Sequence, residues 1–299
     1  MPNLLHNCTI IIPTRNRPDD LKRTVGKLID IGLADTQILV LDDASEDPRS
    51  TKNALTGLNN AQMLENKNRT GQAEGRNRLL RHSTTKYCIC LDDDTYFLQL
   101  GKLPALLMED KFDESLGGLV FHTIRSYDGF REFPPNMPKV KVPLFIGCSI
   151  MFNKENVLRV GGYRSFLMYG CEEPELATRL WRASYPLEFE PSVVIEHCHT
   201  SEARDHGEYH FLYCRNTILL HTLNYPGVYG LPGGTLRAIK RLFTMKGHKY
   251  SKFKGILCGI KDSIHFWDQR TLLTKGQYQA RKQFINDTNK MLVDLVNNR

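Results

Sequence analysis

The residues with the clearest chemical content are Asp92, Asp93 and Asp94, which directly follow the apolar run Tyr87-Cys88-Ile89-Cys90-Leu91. Adjacent carboxylates repel one another, and folding alone gains nothing by placing them at the mouth of a buried strand. A hard divalent cation such as Mg2+ or Mn2+ takes oxygen ligands and would relieve the repulsion. In an extended segment residues i and i+2 face the same way. Asp92 and Asp94 are therefore expected to share one metal while Asp93 points elsewhere. The plainer alternative is a solvated acidic turn. A second acidic group, Glu172 and Glu173, precedes the apolar positions Leu176, Ala177 and Leu180. Pro174 suits the first position of a helix there, and the helix dipole would keep a carboxylate at that end ionised. Asp42 and Asp43 end another apolar run, where they either line a site or terminate a strand and cap a turn. His197 and His199 lie at the end of a further run, where packing or hydrogen bonding is the simpler role.

These groups need elements to hold them. Residues 8–13 read as a strand that is apolar on both faces, as in parallel sheets covered by helices. A turn over 13–18 leads to a helix that Asp19 or Asp20 can cap, with Leu21, Val25, Leu28 and Ile29 at helical spacing and Gly32 closing it. Strands over 37–41, 61–64 and 87–91 alternate with helices over 48–58 and 72–82. That alternation predicts a nucleotide-binding α/β half with a parallel sheet, in which ligands sit at the carboxyl ends of the strands. Pro13-Thr14, Asp42-Asp43 and the Asp92–Asp94 triplet all fall there. Beyond them the pattern predicts a helix over 103–108, a strand over 117–122, a Pro-rich loop over 128–141 and a strand over 142–152. A turn at 161–163, the helix containing Pro174 and a strand over 187–195 follow.

The 299 residues allow one large domain, or one domain with an appendage. With 41% apolar and 24% charged residues the composition is that of a soluble globular protein. No apolar run reaches the ~18–20 residues that span a bilayer, and the N-terminus lacks the basic start and apolar stretch of a signal peptide. The eight cysteines form no CxxC pair, which points to reduced thiols in a cytoplasmic protein. The net charge of +7 is uneven: residues 227–299 hold 14 Lys and Arg against 4 Asp and no Glu, leaving the rest at −3. Such a basic tail suits an anionic lipid surface or a lipid-linked anionic substrate. No nucleic-acid module accompanies it, and no nucleic-acid partner is expected.

Ordered along the chain stand Ile11-Ile12-Pro13-Thr14-Arg15-Asn16-Arg17, Val40-Leu41-Asp42-Asp43-Ala44-Ser45, Gly71-Gln72-Ala73-Glu74-Gly75-Arg76-Asn77, Leu91-Asp92-Asp93-Asp94, Gly161-Gly162-Tyr163 and Cys171-Glu172-Glu173-Pro174-Glu175-Leu176. In this set the chain resembles the large inverting family of GT-A nucleotide-sugar glycosyltransferases, over about residues 9–216. The resemblance implies an α/β GT-A fold over 1–225, with a nucleotide-binding half (1–100) and an acceptor half (101–225). A basic helical extension would occupy 226–299. It further implies that Pro13, Thr14 and Arg15 line the nucleotide pocket, that Asp43 binds base or ribose, that Arg76 approaches the nucleotide and that Asp93 binds ribose. Asp92 and Asp94 match the DxD motif that holds Mn2+ or Mg2+ against the diphosphate, with His197 or His199 as a further ligand. Glu173 matches the carboxylate that deprotonates the acceptor hydroxyl. The family usually has Glu-Asp where this chain has Glu172-Glu173, so the base lies between the two, with Glu173 preferred. The implied partners are a nucleoside-diphosphate sugar and a glycan or lipid-linked acceptor. The implied place is the cytoplasm, with peripheral contact at the inner membrane face through the basic tail. The rival readings are a non-catalytic nucleotide-sugar or carbohydrate-binding protein on the same scaffold, and a metal-dependent nucleotidyltransferase.

Overall fold

The computed structural model describes residues 4–109, 111–126, 128–129, 131, 133–198 and 206–297. Strand and helix alternate through β1 (Cys8–Thr14), α1 (Pro18–Asp30), β2 (Gln37–Asp42), α2 (Pro48–Asn53), β3 (Ala61–Glu65), α3 (Gln72–His82) and β4 (Tyr87–Cys90). β1 and β4 are buried along their whole length. Their side chains alternate between two helical layers with the period of two that a strand imposes. Ile10, Ile12, Val40 and Ile89 meet Leu21, Val25 and Leu28 of α1, while Ile11, Leu39, Leu41 and Cys90 meet Leu79 and Leu80 of α3. The order β3-β2-β1-β4 is parallel at every pairing. It carries the strand ends of β1, β2 and β4 to one side.

The second half adds β5 (Thr95–Gln99), α4 (Leu103–Met108), β6 (Gly118–Arg125), β7 (Lys141–Val142), β8 (Ile150–Asn153), α5 (Lys154–Arg159), α6 (Glu172–Arg182) and β9 (Leu187–His197). Among the described residues, nine strands form one sheet in the order β3-β2-β1-β4-β8-β6-β9-β5, with β7 against β9. β8 is antiparallel to β4 and β6, and β9 is parallel to β6. The result is the expected α/β architecture, a largely parallel sheet between helices with a helical C-terminal region.

Several local expectations are corrected. α1 starts at Pro18, so Asp19 and Asp20 lie in its first turn, and the cap residue, Arg17, turns its side chain to the acidic turn and makes no capping bond. α2 stops at Asn53, and the turn after it passes through Gly57 at φ +97°. The strand expected over 142–152 is two strands. Pro143 has no N–H for a ladder, and residues 143–149 bend inward to the site. β5 begins immediately after the acidic triplet and had no counterpart in the sequence reading. α6 begins at Glu172, so Pro174 is its third residue; its missing N–H is still harmless there, because the first four N–H groups of a helix have no partner within it.

The C-terminal region is α7 (His206–Asn224), α8 (Leu231–Thr244), α9 (Lys249–His265) and α10 (Lys275–Asn297). α7, α8 and α9 share a small core of Cys214, Ile218, Ala238 and Ile256. α10 returns to the sheet domain, where Phe284 stacks on Trp181 at 5.0 Å and Arg281 donates to the Pro143 carbonyl at 3.3 Å. No helix among the described residues is long and apolar enough to cross a membrane. All eight cysteines are free thiols.

Candidate active site

The acidic triplet is a turn and not the extended segment expected, closed by the Thr95 hydroxyl donating to the Asp92 carbonyl at 3.0 Å. Its three carboxylates consequently diverge. Asp93 Oδ2 accepts from the Thr14 hydroxyl at 2.7 Å, at the end of β1, and the Asp93 carbonyl accepts from Thr24 of α1 at 2.8 Å. Arg17 spans the next two residues, with Nη1 at 2.5 Å from Asp93 Oδ1 and Nη2 at 2.9 Å from Asp94 Oδ2. Asp94 Oδ1 lies 3.3 Å from His197 Nε2, at the end of β9. Asp92 Oδ1 accepts from Arg76 Nη2 of α3 at 2.8 Å. The repulsion within the triplet is thus answered partly by two guanidiniums, a role the sequence reading gave to a cation alone.

Ligand atoms of Asp92, Cys148 and His197 lie within 4.8 Å of one another. Asp94 is not in that group and meets it at His197, so the extended geometry expected to turn Asp92 and Asp94 toward one cation is absent. Carboxylate oxygens and an imidazole suit a cation of the Mn2+ type, and the neighbouring Cys148 thiol adds a softer donor. These residues fit a divalent cation. His199 lies outside the described residues.

Across Arg76 stands the N-terminus of α6. Glu172 is buried, its Oε1 3.7 Å from Arg76 Nη1 and its Oε2 without a hydrogen-bond partner among the described residues. Glu173 is less buried and its Oε1 accepts from the Gly147 N–H. A Cβ at Gly147 would lie 2.5 Å from both Arg76 Nη1 and Glu173 Oε1, so only glycine lets this loop reach the carboxylate.

Burial pushes the Glu173 carboxyl above the usual carboxylate range, with Glu172 adding to the rise and Arg76 opposing it. Burial raises Glu172 as well, again against Arg76. Here the dipole expectation is corrected: a helix end contributes ~0.3–1 kcal/mol, and desolvation outweighs it. The neighbouring aspartates part in opposite directions. Burial pushes Asp93 up to about 8 against the pull of Arg17. Asp94, despite its own burial, is held well below the usual range by His197 and Arg17.

The other expected nucleotide residues line the same side. Pro13 and Thr14 form the buried end of β1, and Arg15 follows with its Nε buried and without a hydrogen-bond partner among the described residues. Asp43 Oδ1 accepts from Asn66 Nδ2 at 2.7 Å and from the Thr70 N–H and hydroxyl at 2.8 and 2.9 Å, while Oδ2 accepts from the Gly71 N–H at 2.8 Å. In this structure Asp43 holds loop 66–71 over the end of β2. Arg76 is 1% exposed and faces Asp92 and Glu172. The sequence reading missed Arg17, Gly147 and Cys148. Arg17 lay within a quoted motif, but nothing local revealed its reach to Asp94.

The sequence profile described as Glycosyl transferase family 2 matches residues 9–169. A curated relative, the pre-mycofactocin glycosyltransferase of Mycobacterium tuberculosis, is 27% identical over 215 residues, covering 66% of this chain and 44% of the relative. The chain thus spans less than half the length of that relative. Among solved structures, GalNAc-T7 with UDP, GalNAc and Mn2+ superposes with a TM-score of 0.61 at 16% identity, covering 89% of this chain and 57% of that one. The mannosyltransferase PcManGT of Pyrobaculum calidifontis, in complex with GDP-Man and Mn2+, gives 0.53 at 16% identity and covers 90% of both chains. S. aureus TarS 1-349 with UDP-GlcNAc gives 0.52 at 13% identity, covering 88% of this chain and 74% of that one. These structures share the GT-A fold, and with the profile matched across more than half of its length the chain belongs to glycosyltransferase family 2.

Proposed function

We propose that this protein transfers a glycosyl group from a nucleoside-diphosphate sugar to a hydroxyl of a glycan, glycolipid or other acceptor, with inversion at the anomeric carbon. The observation that carries the reading is Glu173: a carboxylate at the α6 N-terminus, held by Gly147 and next to Glu172, which Arg76 links to the acidic turn at the strand ends. Glu173 is assigned as general base over Glu172, because Glu172 turns inward to Arg76 while Glu173 keeps some exposure.

In the reaction Glu173 takes the proton of the acceptor hydroxyl, and the acceptor oxygen attacks the anomeric carbon from the face opposite the diphosphate. The bond from that carbon to the diphosphate oxygen breaks, and its electron pair leaves on the diphosphate. Pro13, Thr14, Arg15, Asp43 and Asp93 are assigned to the nucleotide. Asp92, Asp94 and His197, with Cys148 beside them, are the residues that would hold Mn2+ or Mg2+. Such a cation, when bound, supplies Lewis-acid compensation of charge on the leaving diphosphate. Arg76 fixes Asp92 and Glu172, which aligns the donor and acceptor sides of the cleft.

We assign residues 1–225 to donor and acceptor binding and 226–299 to attachment at the cytoplasmic membrane face. The complexes of PcManGT with GDP-Man and TarS with UDP-GlcNAc, and of GalNAc-T7 with UDP, support the donor class. The test is release of nucleoside diphosphate from a panel of UDP-, GDP- and dTDP-sugars by wild type and Glu173→Gln. Turnover of one donor that Glu173→Gln loses supports the reading. Equal turnover by both proteins, or none with any donor, contradicts it.

A further inference from the structure

α8 and α9 leave most of their large apolar residues facing outward. A helix on a globular domain ordinarily buries its large apolar residues and exposes its polar ones. α8 instead buries Gly234 and Ala238, while Leu236 and Phe243 are 69% and 80% exposed. α9 buries Lys252, Gly255, Ile256, Gly259 and Ser263, of which only Ile256 is large and apolar, while Tyr250 and Ile264 are 70% and 69% exposed, with Phe253 and Leu257 between them also outward. Rotation cannot correct this. A Cβ at Gly255 would lie 2.3 Å from the Phe211 carbonyl oxygen, one at Gly259 2.9 Å from that of Arg215, and one at Gly234 2.7 Å from His221 Cβ. Close contact with α7 therefore fixes which side of each helix faces inward.

The outward apolar stripes are set in positive charge. Residues 231–265 hold eight Lys and Arg and a single acid, Asp262. That acid is already paired with Arg215 at 2.6 Å. Arg237, Lys240, Lys254 and Lys261 are exposed beside the stripes. A second copy of this face is a poor occupant, since a two-fold contact would set like charge against like. An anionic bilayer surface matches both features, apolar depth and surrounding negative charge.

We propose that the outer face of α8 and α9 docks on an anionic lipid surface, with Leu236, Phe243, Phe253 and Leu257 entering the boundary between headgroups and acyl chains. Arg237, Lys240, Lys254 and Lys261 then meet the lipid phosphates. The surface is one helix from the site: the Tyr213 ring of α7 lies under Arg241 of α8 at 3.8 Å, and its edge would be 3.5 Å from a Cβ at Gly170, just before α6. A lipid-linked acceptor held in the bilayer would thus present its head near Glu173. The inference deepens the membrane-attachment part of the proposed function and does not depend on glycosyl transfer.

The test is co-sedimentation of the full chain with phosphatidylcholine vesicles, with and without phosphatidylglycerol. It compares wild type, Phe243→Ser/Phe253→Ser and Lys240→Glu/Lys254→Glu. Circular dichroism confirms that each protein is folded, and light scattering reports its oligomeric state. The expected result is binding to the phosphatidylglycerol vesicles that either double variant weakens by about tenfold or more, with little binding to phosphatidylcholine alone. No wild-type binding, or binding equal in all three proteins, overturns the inference. So does a wild-type dimer without vesicle binding that the Phe variant dissolves, which would give the face to a second copy. Nucleotide-induced stabilisation, measured on the same samples, reports separately whether the donor site is intact.

Discussion

The Arg76 guanidinium stands between Asp92 and Glu172, donating to the first at 2.8 Å and lying 3.7 Å from the second. It joins the turn after β4 to the N-terminus of α6, two elements that share no strand pairing. With Arg76 replaced by Ala, the buried Glu172 and the half-buried Asp92 lose their common partner. Breaking a buried ion pair costs about 3–5 kcal/mol, and Arg76→Ala is expected to lose that much stability in urea denaturation. A loss below about 1 kcal/mol, the range of a surface pair, would show that the bridge does not stabilise the site.

Glu172 and Glu173 are expected to separate by function. Glu173→Gln removes the proton acceptor and should lower kcat by about 10²–10⁴-fold. Glu172→Gln removes a partner of Arg76 and should lower stability more than kcat. The reverse ranking in steady-state kinetics would transfer the base to Glu172.

The pH dependence of Glu173 carries a definite sign. Its folded carboxyl titrates above the ordinary glutamate value of about 4.3, chiefly through burial. The folded protein keeps a proton that the unfolded chain has released. That contribution to stability is full below about pH 4.3 and is lost as pH rises through the folded pKa. The rate moves the other way, because only the ionised carboxylate accepts a proton. Parallel kcat and melting profiles should show activity rising where this contribution falls, and both slopes should shrink in Glu173→Gln. An activity limb that survives the substitution would trace to another group.

Asp43 accepts four hydrogen bonds from residues 66–71. Asp43→Ala leaves those donors without their acceptor and is expected to cost at least ~1.5–3 kcal/mol, the range for a bond to a charged group. Faster proteolysis within that loop should accompany the loss. Unchanged stability would mean that the loop is held by other contacts.

The sheet's parallel half was readable because β1, β2 and β4 are apolar on both faces and α1 keeps helical spacing, local signals that survive folding. Asp42, Asp43 and Asp92–Asp94 were readable as a set because each group lies where a strand ends, and Glu172 and Glu173 because they open a helix. What escaped depends on distance along the chain. Arg17 reaches Asp93 and Asp94 only because β1 and β4 pair. Residues 143–149 read as strand by composition, yet Pro143 and the approach of Gly147 to Arg76 and Glu173 draw them into the site. The sign of the Glu173 shift was hidden for the same reason, since a helix dipole is visible in sequence and burial is not. The C-terminal region was legible as basic and helical, but which face its helices bury is set by the glycines against α7.

The most direct test of the donor site is thermal stabilisation by UDP, dTDP, GDP and CMP, each with and without Mn2+, on wild type and Asp94→Ala. A ligand at a hundred times its Kd stabilises by ~2.7 kcal/mol, a readily measured change in Tm. The account predicts that one nucleoside diphosphate raises the Tm of wild type in the presence of Mn2+ and that Asp94→Ala loses this shift. No stabilisation of wild type by any of the diphosphates would contradict a nucleotide-sugar site at the ends of β1, β2 and β4.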